Sequence, residues 1–328
     1  MAAVEDGSPG KGGRYVFGPV PSRRLGRSLG VDLVPFKTCS YDCIYCQLGR
    51  TTNRTVERRE YMPTREVLAE VERKLDALRH KPDRPDYVTL SGSGEPTLHS
   101  GIGDVIAGIK DLTDVPVAVL TNGSLLWQDT LIEELARADL IVPSLDAGDA
   151  RLFSNVNRPH ESLSFDDMVR GLAELRDRFG GEIWLEVMLL AGVTGIESEV
   201  RKIAGIVERV RADRVQLNTA VRPTAEDFAL ALSPEEMDRF ARLMGPGCEV
   251  IADFHNVHGA AEFRRGREDV MALLRRRPCT LEDIAAALGM HMNEATKYVG
   301  ELQHEKKIVM EAHHGAPYYR AKADPGPG

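Results

Sequence analysis

The sequence predicts an α/β fold of six strand–helix units followed by a small helical domain with a β-hairpin. Two observations carry this prediction. Short apolar runs alternate with amphipathic helical segments as far as residue 221, and the pattern changes to helices and a hairpin from residue 261. Repeated strand–helix units form a parallel sheet covered by helices. Six units suit an open, partial (β/α)6 barrel as well as a doubly wound sheet, and both bind ligands at the carboxyl ends of their strands.

The six predicted strands are apolar runs that end in polar or glycine-rich turns. They cover residues 29–36, 86–92, 115–123, 139–147, 182–192 and 213–221. Helical patterns lie between them, and the first, over residues 64–80, is typical. Its apolar side chains recur at helical spacing and predict one buried face: Val67, Leu68, Val71, Leu75 and Leu78.

The C-terminal part, residues 261–328, is predicted to be a winged helix-turn-helix, with three helical segments before a hairpin. Thr280 and Asp283 form a capping-box pattern at the start of the second helix. Ten Lys and Arg against nine Asp and Glu between residues 262 and 320 make a poor surface for duplex DNA. RNA, a peptide or a partner domain remain open as its ligand. We expect this domain to recruit substrate and the barrel, residues 14–260, to carry the chemistry.

The composition excludes several classes of protein. The chain has 328 residues, 42% hydrophobic and 28% charged, which is typical of a globular protein with one large and one small domain. No apolar run approaches the length of about 18 residues that a transmembrane helix needs. Residues 1–13 are predicted to be a disordered tail and not a signal peptide. Five cysteines, three of them crowded together, indicate a reducing cytoplasm and not a disulfide framework.

The crowded cysteines, Cys39, Cys43 and Cys46, have the spacing C-x3-C-x2-C. Three thiolates on one tight loop can bind three irons of a cubane cluster and leave the fourth iron open. A structural zinc or a fully ligated cluster needs a fourth ligand, and the next candidates, His80 and Cys248, are distant in the sequence. A thioredoxin-type dithiol leaves the first cysteine unexplained. The spacing therefore predicts one [4Fe-4S] cluster with an open coordination position.

This motif resembles that of the radical SAM superfamily, in which an aromatic residue precedes the third cysteine, as Tyr45 does here. The resemblance implies a partial barrel whose open iron chelates S-adenosylmethionine (SAM). In that family the reduced cluster breaks the C5′–S bond of SAM, and the resulting 5′-deoxyadenosyl radical abstracts a hydrogen atom from the substrate. It also implies that Tyr45 contacts the adenine and that a low-potential reductant such as flavodoxin or ferredoxin is a partner.

Further motifs fall at the ends of the predicted strands. The stretch "SGSGEPTL", Ser91–Leu98, resembles the G-G-E-P motif of the family, whose backbone meets the amino group of SAM. Polar residues end the third and fourth predicted strands on the same edge, and those of the fourth are expected near the ribose or the carboxylate of SAM. Each motif alone also fits an ordinary turn or cap, but their common position beside the cysteine loop indicates one site. Besides Tyr45, the residues expected to bind SAM are Ser93, Gly94, Glu95, Asn122, Ser144 and Asp146.

A closer similarity concerns the substrate. The stretch "PSLDAGDARLFSNVNRPH" is similar to one in the tRNA wyosine-base synthases, which implies a tRNA or nucleotide-derived substrate. The chain has no cysteine before Cys39 and no lysine in a matching motif, so the wyosine reaction itself is not implied. Arg158 and Arg222, each followed by proline, are candidates to bind an anionic substrate or to form salt bridges. A peptide-modifying radical SAM enzyme and an iron–sulfur DNA-binding redox sensor are the alternatives, and the SAM-shaped motifs argue against the sensor.

Overall fold

The computed structural model describes residues 15–22, 24–81, 84–221, 224–252, 261–288, 290–313 and 316–322. The predicted tail and Arg222 lie outside these residues. The strands are, in chain order, β1 (Val16–Ser22), β2 (Gly26–Val31), β3 (Thr38–Cys39), β4 (Asn53–Arg54), β5 (Tyr87–Leu90), β6 (Val117–Thr121), β7 (Leu140–Pro143), β8 (Glu182–Leu189), β9 (Arg214–Thr219), β10 (Cys248–Val250), β11 (Ile308–His313) and β12 (Ala316–Ala321). The helices are α1 (Thr64–Leu78), α2 (Ile102–Leu112), α3 (Asp129–Leu135), α4 (Ala150–Val156), α5 (Phe165–Arg178), α6 (Glu197–Val210), α7 (Pro234–Met244), α8 (Ala261–Arg276), α9 (Leu281–Leu288) and α10 (Met292–His304).

The main sheet has eight strands in the order β1-β2-β5-β6-β7-β8-β9-β10. Its first pair is antiparallel and every later pair is parallel. The strand order follows the chain without the reversal that defines a doubly wound sheet. Within the described residues β1 and β10 do not pair with each other, so the sheet is an open, mostly parallel one of the partial-barrel type.

All six predicted strands are present, as β2 and β5 to β9, but the sequence did not reveal the two edges of the sheet. β1 has the sequence "VFGPVPS", whose glycine and prolines hide any strand pattern, and its register with β2 shifts between Phe17 and Val20. β10 has only three residues. β2 begins three residues before the predicted strand because the antiparallel pairing with β1 extends it to Gly26.

The turn between β1 and β2 closes one end of the barrel. It lies beside the amino ends of the parallel strands, where the backbone N–H of Arg27 donates to Asp86, the residue before β5. Leu25 points from this turn into the lumen and is 2% exposed. It packs against side chains of three strands: Ala118, Leu140, Val142 and Trp184. The end that remains for a ligand is therefore the carboxyl end of the strands.

Amphipathic helices cover the outside of the sheet, as predicted. In α1 the predicted face is confirmed, because Val67, Val71 and Leu78 are buried in the main core while Leu68 and Leu75 pack partly buried against it. None of the helices in the described part of the chain is both long and apolar enough to span a membrane.

The C-terminal segment consists of α8, α9, α10 and the antiparallel pair β11–β12. The predicted capping box at α9 is present: the N–H of Thr280 donates to Asp283 Oδ2 at 3.0 Å, and the N–H of Asp283 donates to Thr280 Oγ1 at 3.1 Å. The apolar core of this segment also contains Phe17 and Val20 of β1. The segment is therefore packed against one edge of the barrel sheet and shares side chains with it.

Candidate active site at the carboxyl ends of the strands

The segment between β2 and α1 carries the three cysteines, and backbone and side-chain bonds fix its shape. β3 and β4 pair within it and bring Cys39 beside Arg54. Thr51 closes the loop, since its N–H donates to Asp42 Oδ1 at 2.6 Å and its hydroxyl donates to the carbonyl of Tyr41 at 2.7 Å. The strand pairing and these two hydrogen bonds therefore fix the conformation of the cysteine loop.

Each of the three cysteine sulfurs has a nitrogen donor beside it, and each donor comes from a different part of the chain. The pairs are Lys37 Nζ with Cys46 Sγ at 3.2 Å, Asn122 Nδ2 with Cys39 Sγ at 3.5 Å, and Asn157 Nδ2 with Cys43 Sγ at 3.5 Å. Donors of this kind stabilise a thiolate more than a thiol. The donor set therefore suits cysteines that bind iron as thiolates.

Burial raises the pKa of the Cys39 thiol to about 12 and that of Cys43 well above its usual value, so iron that binds here must displace their protons. One further feature fits a cluster in this loop. The Tyr41 hydroxyl is buried and has no hydrogen-bond partner among the described residues. A buried donor without an acceptor costs free energy, so the site suits a ligand that supplies an acceptor, as a cluster sulfide does.

No three His, Cys, Asp or Glu side chains in the described ranges converge closely enough to hold a single metal ion. The three cysteines of a cubane site do not need to converge in this way, because each of them binds a different iron.

The loop after β5 packs directly on the cysteine loop. The N–H of Lys37 donates to the carbonyl of Ser93 at 2.7 Å, and the N–H of Glu95 donates to the carbonyl of Thr38 at 3.1 Å. A Cβ atom added to Gly94 would lie 1.7 Å from that same carbonyl oxygen of Thr38. Glycine is therefore required at this position by the close approach of two loops.

We expect Gly94→Ala to lower the iron content of the reconstituted protein, because the Thr38 carbonyl precedes Cys39 and must move. Overpacking at a rigid contact of this kind costs about 3 kcal/mol of folding free energy. Gly205→Ala is the matched control. Gly205 lies exposed in α6 with no atom within 4 Å of an added Cβ, so its replacement should stabilise the fold by about 0.5–1 kcal/mol. Iron analysis and thermal unfolding of both variants test this, and full iron content in Gly94→Ala would contradict it.

Glu95 joins the loop after β5 to the loop after β6. Its buried carboxylate accepts from Thr97 N at 3.1 Å, Thr121 Oγ1 at 2.6 Å and Asn122 N at 2.7 Å. Burial raises its pKa, and these hydrogen bonds oppose the rise. Since the Asn122 side chain lies beside Cys39, the Glu95 carboxylate helps to position a donor to that sulfur. This role is additional to the backbone contact with SAM that the sequence predicts for Glu95.

Asp146 holds Tyr45 in place. Its buried carboxylate accepts from the Tyr45 hydroxyl, from Asn157 Nδ2 at 2.7 Å and from the N–H of Met188 at 3.1 Å. Burial raises its pKa to about 6. Asn157 donates both to Asp146 and towards Cys43, so one amide joins the predicted SAM residues to the cysteine loop. Asn157 is not among the residues predicted from the sequence, although it directly precedes the candidate Arg158.

Some predicted site residues line one cavity of about 360 Å³, and others lie outside it. Tyr45, Cys46, Ser144 and Asp146 are among its lining residues. The residues Ser93, Gly94, Glu95 and Asn122 support the loops around it, as described above. Arg158 does not line the cavity, and its guanidinium is 2.5 Å from Glu226 and 4.0 Å from Asp42.

An ion pair within the lumen also lines the cavity. Arg24 Nη1 lies 2.7 Å from Glu186 Oε2, although the N–H does not point along a hydrogen-bond direction, and Asn218 Nδ2 donates to Glu186 Oε1 at 2.8 Å. Arg24 enters the lumen from the turn that carries Leu25. Its location depends on the β1–β2 hairpin, which the sequence did not reveal.

A family model described as the radical SAM superfamily matches residues 33–204, which contain the cysteine loop, the loop after β5 and Asp146. The chain belongs to the radical SAM superfamily. Members of this superfamily are enzymes that use a [4Fe-4S] cluster and SAM. The chain is therefore an enzyme with these two cofactors. The residues around the three cysteines fit that cluster for the reasons given above.

Relatives extend the similarity beyond the radical SAM match. The chain is 30% identical to a UPF0026 protein of Methanocaldococcus jannaschii, over 92% of this chain and 94% of that protein, and it belongs to this family. It is 39% identical to a protein of Brachyspira hyodysenteriae named GTPase Obg, over 93% of this chain but only 45% of that longer protein. The structure is similar to that of a radical SAM methyltransferase from Sphaerobacter thermophilus, with a TM-score of 0.54 and 18% identity over 68% of this chain and 65% of that one, which supports the fold alone.

The buried ammonium group of Lys37 should raise the reduction potential of the radical SAM cluster. A positive charge and a hydrogen bond at a cluster sulfur both favour the more negative, reduced state. We therefore expect Lys37→Met to shift the equilibrium towards the oxidised cluster at least tenfold, which corresponds to a midpoint about 59 mV more negative. A redox titration followed by electron paramagnetic resonance measures this. Lys37→Arg keeps the charge and should retain most of the potential, and an unchanged midpoint in Lys37→Met would count against this role.

Proposed function

We propose that this radical SAM enzyme acts on tRNA or another nucleotide-derived molecule, one base of which enters the cavity. The observation that carries the proposal is the charge of the cavity. Its described lining residues include three carboxylates and only two cations. The carboxylates are those of Asp146, Glu186 and Glu301, and the cations are Arg24 and Lys297. A phosphate group would meet a carboxylate excess there, whereas a neutral base offers both donors and acceptors to such a lining.

The similarity of residues 143–160 to the wyosine-base synthases supports a substrate of the same class. Enzymes that modify a base within RNA or DNA take it out of the stack and into a pocket, so the phosphates of such a substrate stay outside. In this proposal the base occupies the lumen side of the cavity, next to the Arg24–Glu186 pair.

The proposal gives each of these residues a role. When bound, the reduced cluster and SAM supply a radical that removes a hydrogen atom from the substrate. Cys39, Cys43 and Cys46 would hold the cluster, and Tyr45, oriented by Asp146, would contact the adenine. Leu25 seals the closed end of the lumen and excludes water from the reacting atoms.

The C-terminal segment supplies the recruitment of substrate in this proposal. Three helices followed by an antiparallel hairpin support its interpretation as a winged helix that begins near residue 261. Arg275 and Arg277, exposed at the end of α8, are suited to contact phosphates outside the cavity. A low-potential reductant such as flavodoxin or ferredoxin completes the proposed set of partners.

Two measurements test the proposal. The reconstituted enzyme, given dithionite and SAM without oxygen, should release 5′-deoxyadenosine, and release should rise when tRNA from a strain lacking the gene is added. Nucleoside analysis of that tRNA before and after the reaction should show one changed base. No change in any nucleoside would contradict the RNA substrate while leaving the SAM chemistry intact.

A peptide or protein substrate is the second candidate, favoured by the nearly balanced charge of residues 262–320. The salt dependence of substrate binding distinguishes the tRNA candidate from the peptide candidate. Binding of tRNA should weaken as salt rises, and the double variant Arg275→Ala/Arg277→Ala should flatten that dependence because fewer counterions are released. Stimulation of 5′-deoxyadenosine release by a peptide fraction, independent of salt, would favour the second candidate.

A further inference from the structure

The N-terminal turn of α10 meets the loop after β5 at one buried carboxylate, Asp32, which directly follows β2 and is 4% exposed. From the barrel, Ser93 donates to this carboxylate with its N–H, 3.1 Å from each oxygen, and with its hydroxyl. From α10, the Asn293 amide nitrogen donates to Asp32 Oδ2 at 3.3 Å. His291 Nε2 lies 3.5 Å from the same oxygen. Asp32 therefore accepts hydrogen bonds from the loop after β5 and from α10, and so joins the two.

The state of His291 fits this arrangement. Burial lowers its pKa to about 4, so the ring is neutral near pH 7. Its Nδ1 accepts the N–H of Asn293 at 3.2 Å, which places the ring proton on Nε2, towards Asp32. The neutral ring thus turns its N–H towards the carboxylate, 3.5 Å away, without adding a buried charge.

Close packing reinforces the contact. A Cβ atom added to Gly92 would lie 2.8 Å from the Asn293 amide nitrogen and 2.9 Å from Asp32 Cγ. The Phe17 ring stacks on the His291 ring at 4.7 Å, and Glu294 Oε1 accepts the N–H of Gly18 at 2.7 Å. The first turn of α10 is therefore held by β1 on one side and by the loop after β5 on the other.

The same helix lines the active-site cavity. Asn293, Thr296, Lys297 and Glu301 are among the lining residues, together with Phe17 of β1 and Ile251, the residue after β10. α10 thus joins residues from both edges of the open sheet around one cavity. A segment that served only to recruit substrate would not need these contacts.

We propose that Asn293, with His291, is a positioning residue of the SAM site: α10 holds Asp32, and Asp32 holds the Ser93 part of the loop that contacts SAM. This inference rests on the proposed function and on the expectation, from the resemblance to the family, that this loop contacts SAM. It makes the C-terminal segment a structural part of the cofactor site. Displacing the first turn of α10 should release the loop and weaken SAM binding while the three cysteines keep their iron.

The test uses the full chain with its cluster reconstituted. A hydrogen bond to a buried charged group contributes about 1.5–3 kcal/mol, so Asn293→Ala should weaken SAM binding at least tenfold. Asn293→Asp places a second carboxylate beside Asp32 and should weaken it further. The exchanged pair Asp32→Asn/Asn293→Asp restores one donor and one acceptor and should recover part of the affinity that Asn293→Asp loses. Iron content should stay at the wild-type value in all three.

Arg267→Ala is the control within the same segment, because it removes only the exposed ion pair with Glu305 at 2.6 Å and should leave the SAM affinity unchanged. A merely structural role for Asn293 would lower the unfolding temperature without changing the SAM affinity of the folded protein, and that result would overturn the inference. If Asn293→Ala does not fold, Asp32→Asn tests the same link from the barrel side. Wild-type protein that holds iron but binds no SAM would overturn the assignment of the loop as well, so the two failures are distinguishable.

Discussion

Replacing Cys39, Cys43 or Cys46 by alanine is expected to abolish the cluster. Wild-type protein reconstituted without oxygen should hold about four irons and four sulfides per chain, the content of one cubane. Each of the three variants leaves only two cysteine ligands, which are too few to retain a cubane. Each should therefore lose the charge-transfer absorbance and the reductive cleavage of SAM. Iron and sulfide analysis together with absorption spectra measure the effect.

Cys248→Ala and Cys279→Ala are the matched controls. Cys248 lies in β10, and Cys279 is buried in the C-terminal core with its thiol 3.6 Å from the carbonyl of Arg277. Neither belongs to the C-x3-C-x2-C motif, so both variants should keep their iron. Loss of iron in either control would show that a further cysteine takes part and would contradict the single-cluster assignment.

Replacing Asp146 by asparagine is expected to weaken SAM binding by ten- to a hundredfold while the iron content is retained. The carboxylate accepts three hydrogen bonds, and an amide in its place turns an NH2 group towards at least one of the donors Tyr45, Asn157 and Met188. An unsatisfied buried donor and a displaced Tyr45 ring together cost about 1.5–3 kcal/mol. SAM affinity measured on the iron-loaded protein checks this result.

Asp149→Asn provides the comparison, since the same chemical change is made three residues further along the same segment. Asp149 caps α4, accepting the N–H of Leu152 at 2.9 Å, and pairs with Lys202 at 2.7 Å outside the cavity. Asparagine caps a helix as well as aspartate does, so this variant should lose only the partly exposed ion pair with Lys202, about 0–1 kcal/mol of stability, and no SAM affinity. Equal SAM affinity in Asp146→Asn and wild-type protein would remove Asp146 from the cofactor site.

The elements that the sequence predicted have a clear period or a local chemical signature. β2 and β5 to β9 are apolar runs separated by amphipathic helices, and burial on both faces of a parallel sheet produces such runs. β1 and β10 were missed because the first contains glycine and prolines and the second is three residues long. Both lie at the edges of the sheet, where pairing on one side alone demands less of the sequence.

The cofactor chemistry was determined by the sequence by itself. The three cysteines lie within eight residues, and Tyr45 and the loop after β5 occupy motif positions, so their chemistry is encoded locally. The nitrogen donors to the sulfurs and the contact between α10 and Asp32 depended on the tertiary structure. Asp32 and Asn293 are 261 residues apart in the chain, and no local pattern specifies which surfaces dock. Contacts of that range follow from packing the C-terminal segment against β1, whose strand character becomes visible only in the folded sheet.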